Sequence, residues 1–128
     1  MILVDTDVLI AHLRGLEAAR GWVHQARRDD GPLAVSVVSV AELTGGMRSS
    51  ERAAVWSLLS VLRAEPVTEL IARRAGELMR CHRRSHLGIG MPDYLIAATT
   101  ELLGARLATL NVRHFPMFPD LRPPFPLT

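Results

Sequence analysis

Asp5, Glu42, Asp93 and Asn111 are the residues of this chain whose setting suits chemistry better than solubility. Asp5 follows the apolar run Met1 to Val4 with no polar lead-in, and Val8, Leu9 and Ile10 resume the apolar character at once. That pattern reads as a short buried strand giving way to a helix packed back on it. Glu42 lies one turn into the helix expected after the Val-rich strand Leu33 to Val38, and Asp93 opens the helix after the Gly-containing loop His86 to Gly90. Asn111 directly follows the strand expected over Arg106 to Leu110. In a parallel sheet every strand's carboxyl end lies on one edge, so these side chains can converge. Converging carboxylates repel and raise one another's pKa unless a cation sits between them. A donor set made only of oxygens suits Mg²⁺ or Mn²⁺, with positions left for water and phosphate. Such an ion can polarise a phosphodiester, activate a water and steady a leaving oxygen.

Each residue also has a structural explanation. Ser39 and Glu42 fit a capping box, Asp7 fits a helix N-cap, and Asp93 in a first turn favours the helix dipole. None of these explains why Asp5 ends a buried strand, or why every address is on the same edge. His82 and His86 stand four apart beside Cys81, but Arg80, Arg83 and Arg84 next to them disfavour a divalent cation. That arginine cluster reads either as a contact to an RNA phosphate backbone or as a charged solvent face. Trp22 and Trp56 fall on expected helices, where core or interface packing outweighs base stacking.

The elements that must position these groups follow from periodicity. Helices are predicted over Val8 to Leu13, from Leu16 to about Ala26, from Ser39 to about Arg48, from Glu51 to Leu62, from Thr68 to about Arg84, and from Pro92 to the stop at Gly104. The fifth carries Ile71, Ala75, Leu78 and Met79 on one face, and the last a stripe of Leu95, Ala98, Thr99 and Leu102. Ala64 to Val67, interrupted by Pro66, is a candidate third strand. Five of the eight prolines fall in residues 116 to 128, which predicts an extended, irregular tail. Strands alternating with helices imply an α/β fold, a central mostly parallel sheet flanked by helices in three layers.

At 128 residues and 48% hydrophobic composition, residues 1 to 128 read as one domain with a single core. Basic and acidic residues nearly balance at 15 and 13, so global charge is only mildly favourable for nucleic acid. Every basic residue is Arg, a type suited to bidentate phosphate contacts and also favoured by GC-rich codons. A lone Cys81 excludes an intrachain disulfide and suits a reducing, cytoplasmic setting. The N-terminus does not read as a signal peptide, and no apolar run approaches a membrane span.

The runs LVDTDVLI, SVVSVAEL, MPDYLIAAT and LATLNVRHFP resemble, in that order, the four motif regions of PIN-domain proteins. The chain is most similar to the VapC-type toxins of bacterial toxin–antitoxin pairs, along essentially its whole length. The resemblance implies a PIN-like fold and a Mg²⁺-dependent endoribonuclease, commonly a homodimer, held inactive by a cognate VapB-type antitoxin. It also implies that Asp5, Glu42 and Asp93 are acidic metal-site positions. Asn111 stands where many members carry a fourth acid, Asp7 at a variable polar position, Thr109 at a hydroxyl position near the site, and His114 at an aromatic-or-basic position of unassigned role. A stand-alone RNA-processing PIN nuclease and a non-catalytic PIN scaffold are the alternatives. DTDV also resembles the opening of haloacid-dehalogenase-type phosphatases, but that family calls for a later Lys and this chain has none.

Overall fold

Strand side chains alternate between two apolar faces, and that alternation builds the molecule. In the computed structural model, which describes residues 1 to 126, Ile2, Val4, Leu33, Val35 and Ala108 point into one core, and Leu3, Ala34 and Leu107 into another. The strands are β1 (Ile2–Val4), β2 (Ala34–Ser36), β3 (Arg63–Glu65) and β4 (Arg106–Ala108), in the order β3-β2-β1-β4 and parallel throughout. The helices are α1 (Thr6–Leu13), α2 (Glu17–Asp30), α3 (Val37–Gly46), α4 (Arg52–Ser60), α5 (Glu69–His82) and α6 (Met91–Leu103). Residues of α1, α2, α3 and α4 fill the first core, while α5 and α6 pack against the other face. This is the three-layer α/β arrangement that the alternation of elements predicts. The sheet divides what composition suggests is one core into two.

Several boundaries differ from expectation, each for a local reason. Ser36 accepts a hydrogen bond from the Val38 amide and caps α3, so Val37 and Val38 are helical and the second strand ends two residues early. With the cap at Ser36, Glu42 lies well inside α3, and the Ser39–Glu42 capping box does not form. Asp5, not Asp7, is the N-cap of α1, which starts at Thr6. The third strand starts one residue early and ends two residues early, at Glu65, which leaves Pro66, with no amide donor, outside it. β4 stops at Ala108, so Thr109 and Leu110 separate it from Asn111. On α6 the buried face is broad, running over Tyr94 and Ile96 to Thr100, and Leu102 of the expected stripe is exposed.

The α5–α6 pair is antiparallel, tied by Arg74 Nε donating to Glu101 Oε2 at 2.6 Å. Trp22 is half-buried against the first core, whereas Trp56 is exposed on α4 and forms no part of it. After a 3₁₀ turn at Val112–His114 the chain runs irregularly to residue 126, with Phe115 and Phe125 buried. The end of the expected tail, residues 127 and 128, lies outside the described residues. Among the described residues no helix is long and apolar enough to cross a membrane.

Candidate active site

The parallel strands put the ends of β1, β2 and β4 on one edge, and the candidate side chains sit there. The β1 ladder extends one residue beyond the strand, with the Asp5 amide donating to Ala108 O at 2.8 Å. That bond carries Asp5 into the interior, where it is 6% exposed. Its Oδ1 accepts from the Thr6 amide at 2.8 Å, and its Oδ2 accepts from the Thr109 hydroxyl at 2.7 Å. Burial pushes the Asp5 carboxyl up from 3.8 to about 7, with further contributions from the charges of Asp7 and then Asp93. Two accepted hydrogen bonds act against this and do not win.

Asp7 lies in the first turn of α1 and reaches across to the segment after β4. Its carboxylate accepts from the Leu110 amide at 3.1 and 3.2 Å, and its Oδ2 lies 3.3 Å from Thr109 Oγ1, whose one proton goes to the nearer Asp5 Oδ2. Burial also raises its pKa. Asp7 therefore docks α1 onto the end of the fourth strand, and its charge is one of those Asp5 must bear.

Glu42 joins the site through Thr6. The Thr6 hydroxyl lies 2.8 Å from both Glu42 Oε1 and Ser39 Oγ. A hydroxyl has one proton, and the carboxylate is the stronger acceptor. Thr6 therefore donates to Glu42 and accepts from Ser39, which is fully buried. Neither Thr6 nor this use of Ser39 was singled out from the sequence; a hydroxyl directly after the key acid, facing Ser39 one turn before Glu42, is the signal that was there. Glu42 itself is exposed and borders a cleft of about 430 Å³ lined by Leu13, Leu43, Met47 and Val55. A larger cavity of about 700 Å³ lies between α2 and residues 117–124, at the amino ends of β1 and β4, and touches none of these acids.

The Gly90 cap starts α6 and brings Asp93 to the same edge, where Asp93 Oδ2 accepts from the Gly90 amide at 3.2 Å. His114 Nδ1 stands 3.1 Å from the same oxygen, and the Asn111 side chain lies 2.9 Å from that nitrogen. Asn111 thus reaches the edge, but its side chain faces His114. The C-terminus of α5 also ends there, since the loop from it leads directly into α6. Arg83 is the C-cap of α5 and is exposed. Arg80 and Arg84 are exposed, and among the described residues none of these three arginines forms an ion pair. His82 and His86 meet edge to face with ring centroids 5.5 Å apart.

Among the described residues, no three His, Cys, Asp or Glu side chains close around a cation by themselves. Mg²⁺ does not need such a cage: it is commonly held by one or two carboxylates, with water completing its shell. Asp5 is a buried carboxylate repelled by two others, and the groups around it offer only oxygen. That donor chemistry fits a hard divalent cation.

A model of the PIN domain matches residues 2–118. The chain belongs to the PIN-domain family. This PIN domain is 66% identical over 125 residues to ribonuclease VapC10 of Mycobacterium tuberculosis, covering 98% of this chain and 93% of that protein. It is 46% identical to ribonuclease VapC19 of the same organism, covering 98% of this chain and 100% of the relative. Among solved structures, a toxin–antitoxin complex from Klebsiella pneumoniae superposes with a TM-score of 0.79 at 25% identity, covering 98% of each chain. VapBC2 from Rickettsia felis, bound to a promoter DNA fragment, superposes at 0.77 with 22% identity, covering 94% of this chain and 96% of that one, and bears on the fold alone.

Proposed function

We propose that this PIN domain is a metal-dependent endoribonuclease, the toxin of a VapBC-type toxin–antitoxin pair. The observation that carries the reading is Asp5, a buried carboxylate raised to about 7 by burial and by Asp7 and Asp93. A fold gains nothing from that arrangement by itself; it becomes favourable when a divalent cation neutralises it. The 66% identity to a ribonuclease along nearly the whole chain names the reaction class.

Asp5 and Asp93 would hold Mg²⁺ or Mn²⁺, with Glu42 positioned by Thr6 as the third carboxylate. A divalent ion there supplies positive charge that activates water and offsets charge developing on the phosphodiester. Thr109 orients Asp5 through a 2.7 Å hydrogen bond, and Asp7 ties the same segment to α1. Arg83, with Arg80 and Arg84, offers cationic charge beside the acidic edge for the RNA phosphates flanking the cut.

The cleft bordered by Glu42, which joins the apolar Leu13, Leu43 and Val55 to the charged Arg14, Arg48 and Glu51, offers a place for a segment of a VapB-type antitoxin to reach the acids. The protein works as a homodimer in the cytoplasm, where its RNA substrate is. Expression of the chain alone should arrest growth and degrade a defined RNA, and co-expression of the neighbouring antitoxin should relieve both. Growth arrest with every RNA intact would overturn the nuclease. RNA cleavage without arrest would point instead to a stand-alone RNA-processing enzyme.

A further inference from the structure

A continuous run of hydrogen bonds links the two carboxylates assigned to the ion. Thr109 Oγ1 donates to Asp5 Oδ2 at 2.7 Å and accepts from the Asn111 amide at 3.0 Å. The Asn111 side chain lies 2.9 Å from His114 Nδ1, which lies 3.1 Å from Asp93 Oδ2. An ionised carboxylate has no proton to give, so the shared proton belongs to Nδ1. A protonated Nδ1 has no lone pair left for an amide N–H. Asn111 must therefore turn its oxygen to the ring, an orientation reached by rotating the amide half a turn.

We propose that His114 is a positioning residue: its single Nδ1–H is shared in a three-centre hydrogen bond between Asp93 Oδ2 at 3.1 Å and the Asn111 oxygen at 2.9 Å, which ties the carboxylate and the amide to one ring. This rests on the reading of Asp93 as a cation-binding carboxylate. It gives Asn111 a role other than the fourth ligand. Asn111 orients the histidine that orients the acid, as second partners of metal-binding groups commonly do. Among the described residues, Asp93 is otherwise held only by the Gly90 amide, at 3.2 Å, on the flank of an exposed loop. Without His114 it is free to turn to solvent.

Titration calorimetry with Mn²⁺ in the absence of RNA reads this directly. His114→Phe keeps a ring and removes the donor, and should weaken Mn²⁺ binding about tenfold. His114→Asn places an amide N–H where Nδ1 stood and should bind within about threefold of the unmodified protein, whereas His114→Gln extends past that point and should resemble His114→Phe. Wild-type affinity in His114→Phe, alongside lost affinity in Asp93→Asn, would overturn the role of His114 alone. Unchanged affinity in Asp93→Asn would overturn the metal reading beneath it. Equal losses in the Asn and Gln variants would show that ring packing, not the donor, matters. Nitrogen-15 spectra of the unmodified protein give a test that needs no variant: Nδ1 should carry a proton, and an imidazole protonated only at Nε2 would overturn the proposal.

Discussion

Replacing Asp5 with Asn should stabilise the metal-free protein while removing its activity. The unfolded carboxyl releases its proton near 3.8 and the folded one near 7. Between those values the folded chain holds a proton that the unfolded chain has lost, so stability falls as pH rises through that window. At about 1.4 kcal/mol per pH unit, the ionised Asp5 costs the metal-free fold up to about 4 kcal/mol at pH 8. Asparagine has the same shape, and its oxygen still accepts from the Thr6 amide. Thr109 can then accept from the new amide and donate to Asp7, 3.3 Å away. Thermal or urea unfolding in EDTA, at pH 5 and pH 8, measures the difference between the two proteins. It should be about 1–2 kcal/mol at pH 5 and grow to about 4 kcal/mol at pH 8, a widening on the order of 10 °C in Tm. Saturating Mg²⁺ should narrow the gap, because only the unmodified protein gains from binding. An equal difference at both pH values, or a less stable Asn variant at pH 8, would refute the reasoning.

Three further outcomes follow from the same contacts. Thr6→Val removes the hydroxyl between Glu42 and buried Ser39; it should cost about 1–2 kcal/mol in urea unfolding and lower the cleavage rate, while Thr6→Ser retains most of both. Arg83→Ala should weaken RNA binding evenly across sequences and reduce the slope of log affinity against log salt by about 0.7, the value for one contact to a single strand; an unchanged slope would place Arg83 on a solvent face. Asn111→Asp retains an oxygen for the His114 ring and adds a negative charge, so calorimetry should find tighter Mn²⁺ binding and a second, weaker ion.

The layers, the parallel sheet and the common edge were legible because strand periodicity and strand-end acids carry that information locally. Asp5 was legible for the same reason: a charge that ends an apolar run has no local justification. What was hidden depended on pairs far apart in the chain. The Thr6–Glu42 contact and the Asp93–His114 contact exist only once the ends of β1, β2 and β4 and the start of α6 meet, and no spacing rule encodes them. The misplaced α3 start has a different cause. Leu33 to Val38 is rich in valine and reads as strand throughout, yet one serine hydroxyl at position 36 supplies a cap that outweighs strand propensity. Asn111 was legible as a strand-end residue, but the two residues that separate it from β4 and the 2.9 Å contact of its side chain with His114 Nδ1 follow only from the fold.

The central claim is that the acids on this edge hold a divalent ion that cleaves RNA. The most direct measurement is cleavage of an RNA substrate by purified protein with Mg²⁺, with EDTA, and with Asp93→Asn in Mg²⁺. The account predicts cleavage in the first reaction alone, restored when excess Mg²⁺ is added to the chelated one. Undiminished cleavage in EDTA, or by the folded Asp93→Asn protein, would contradict it.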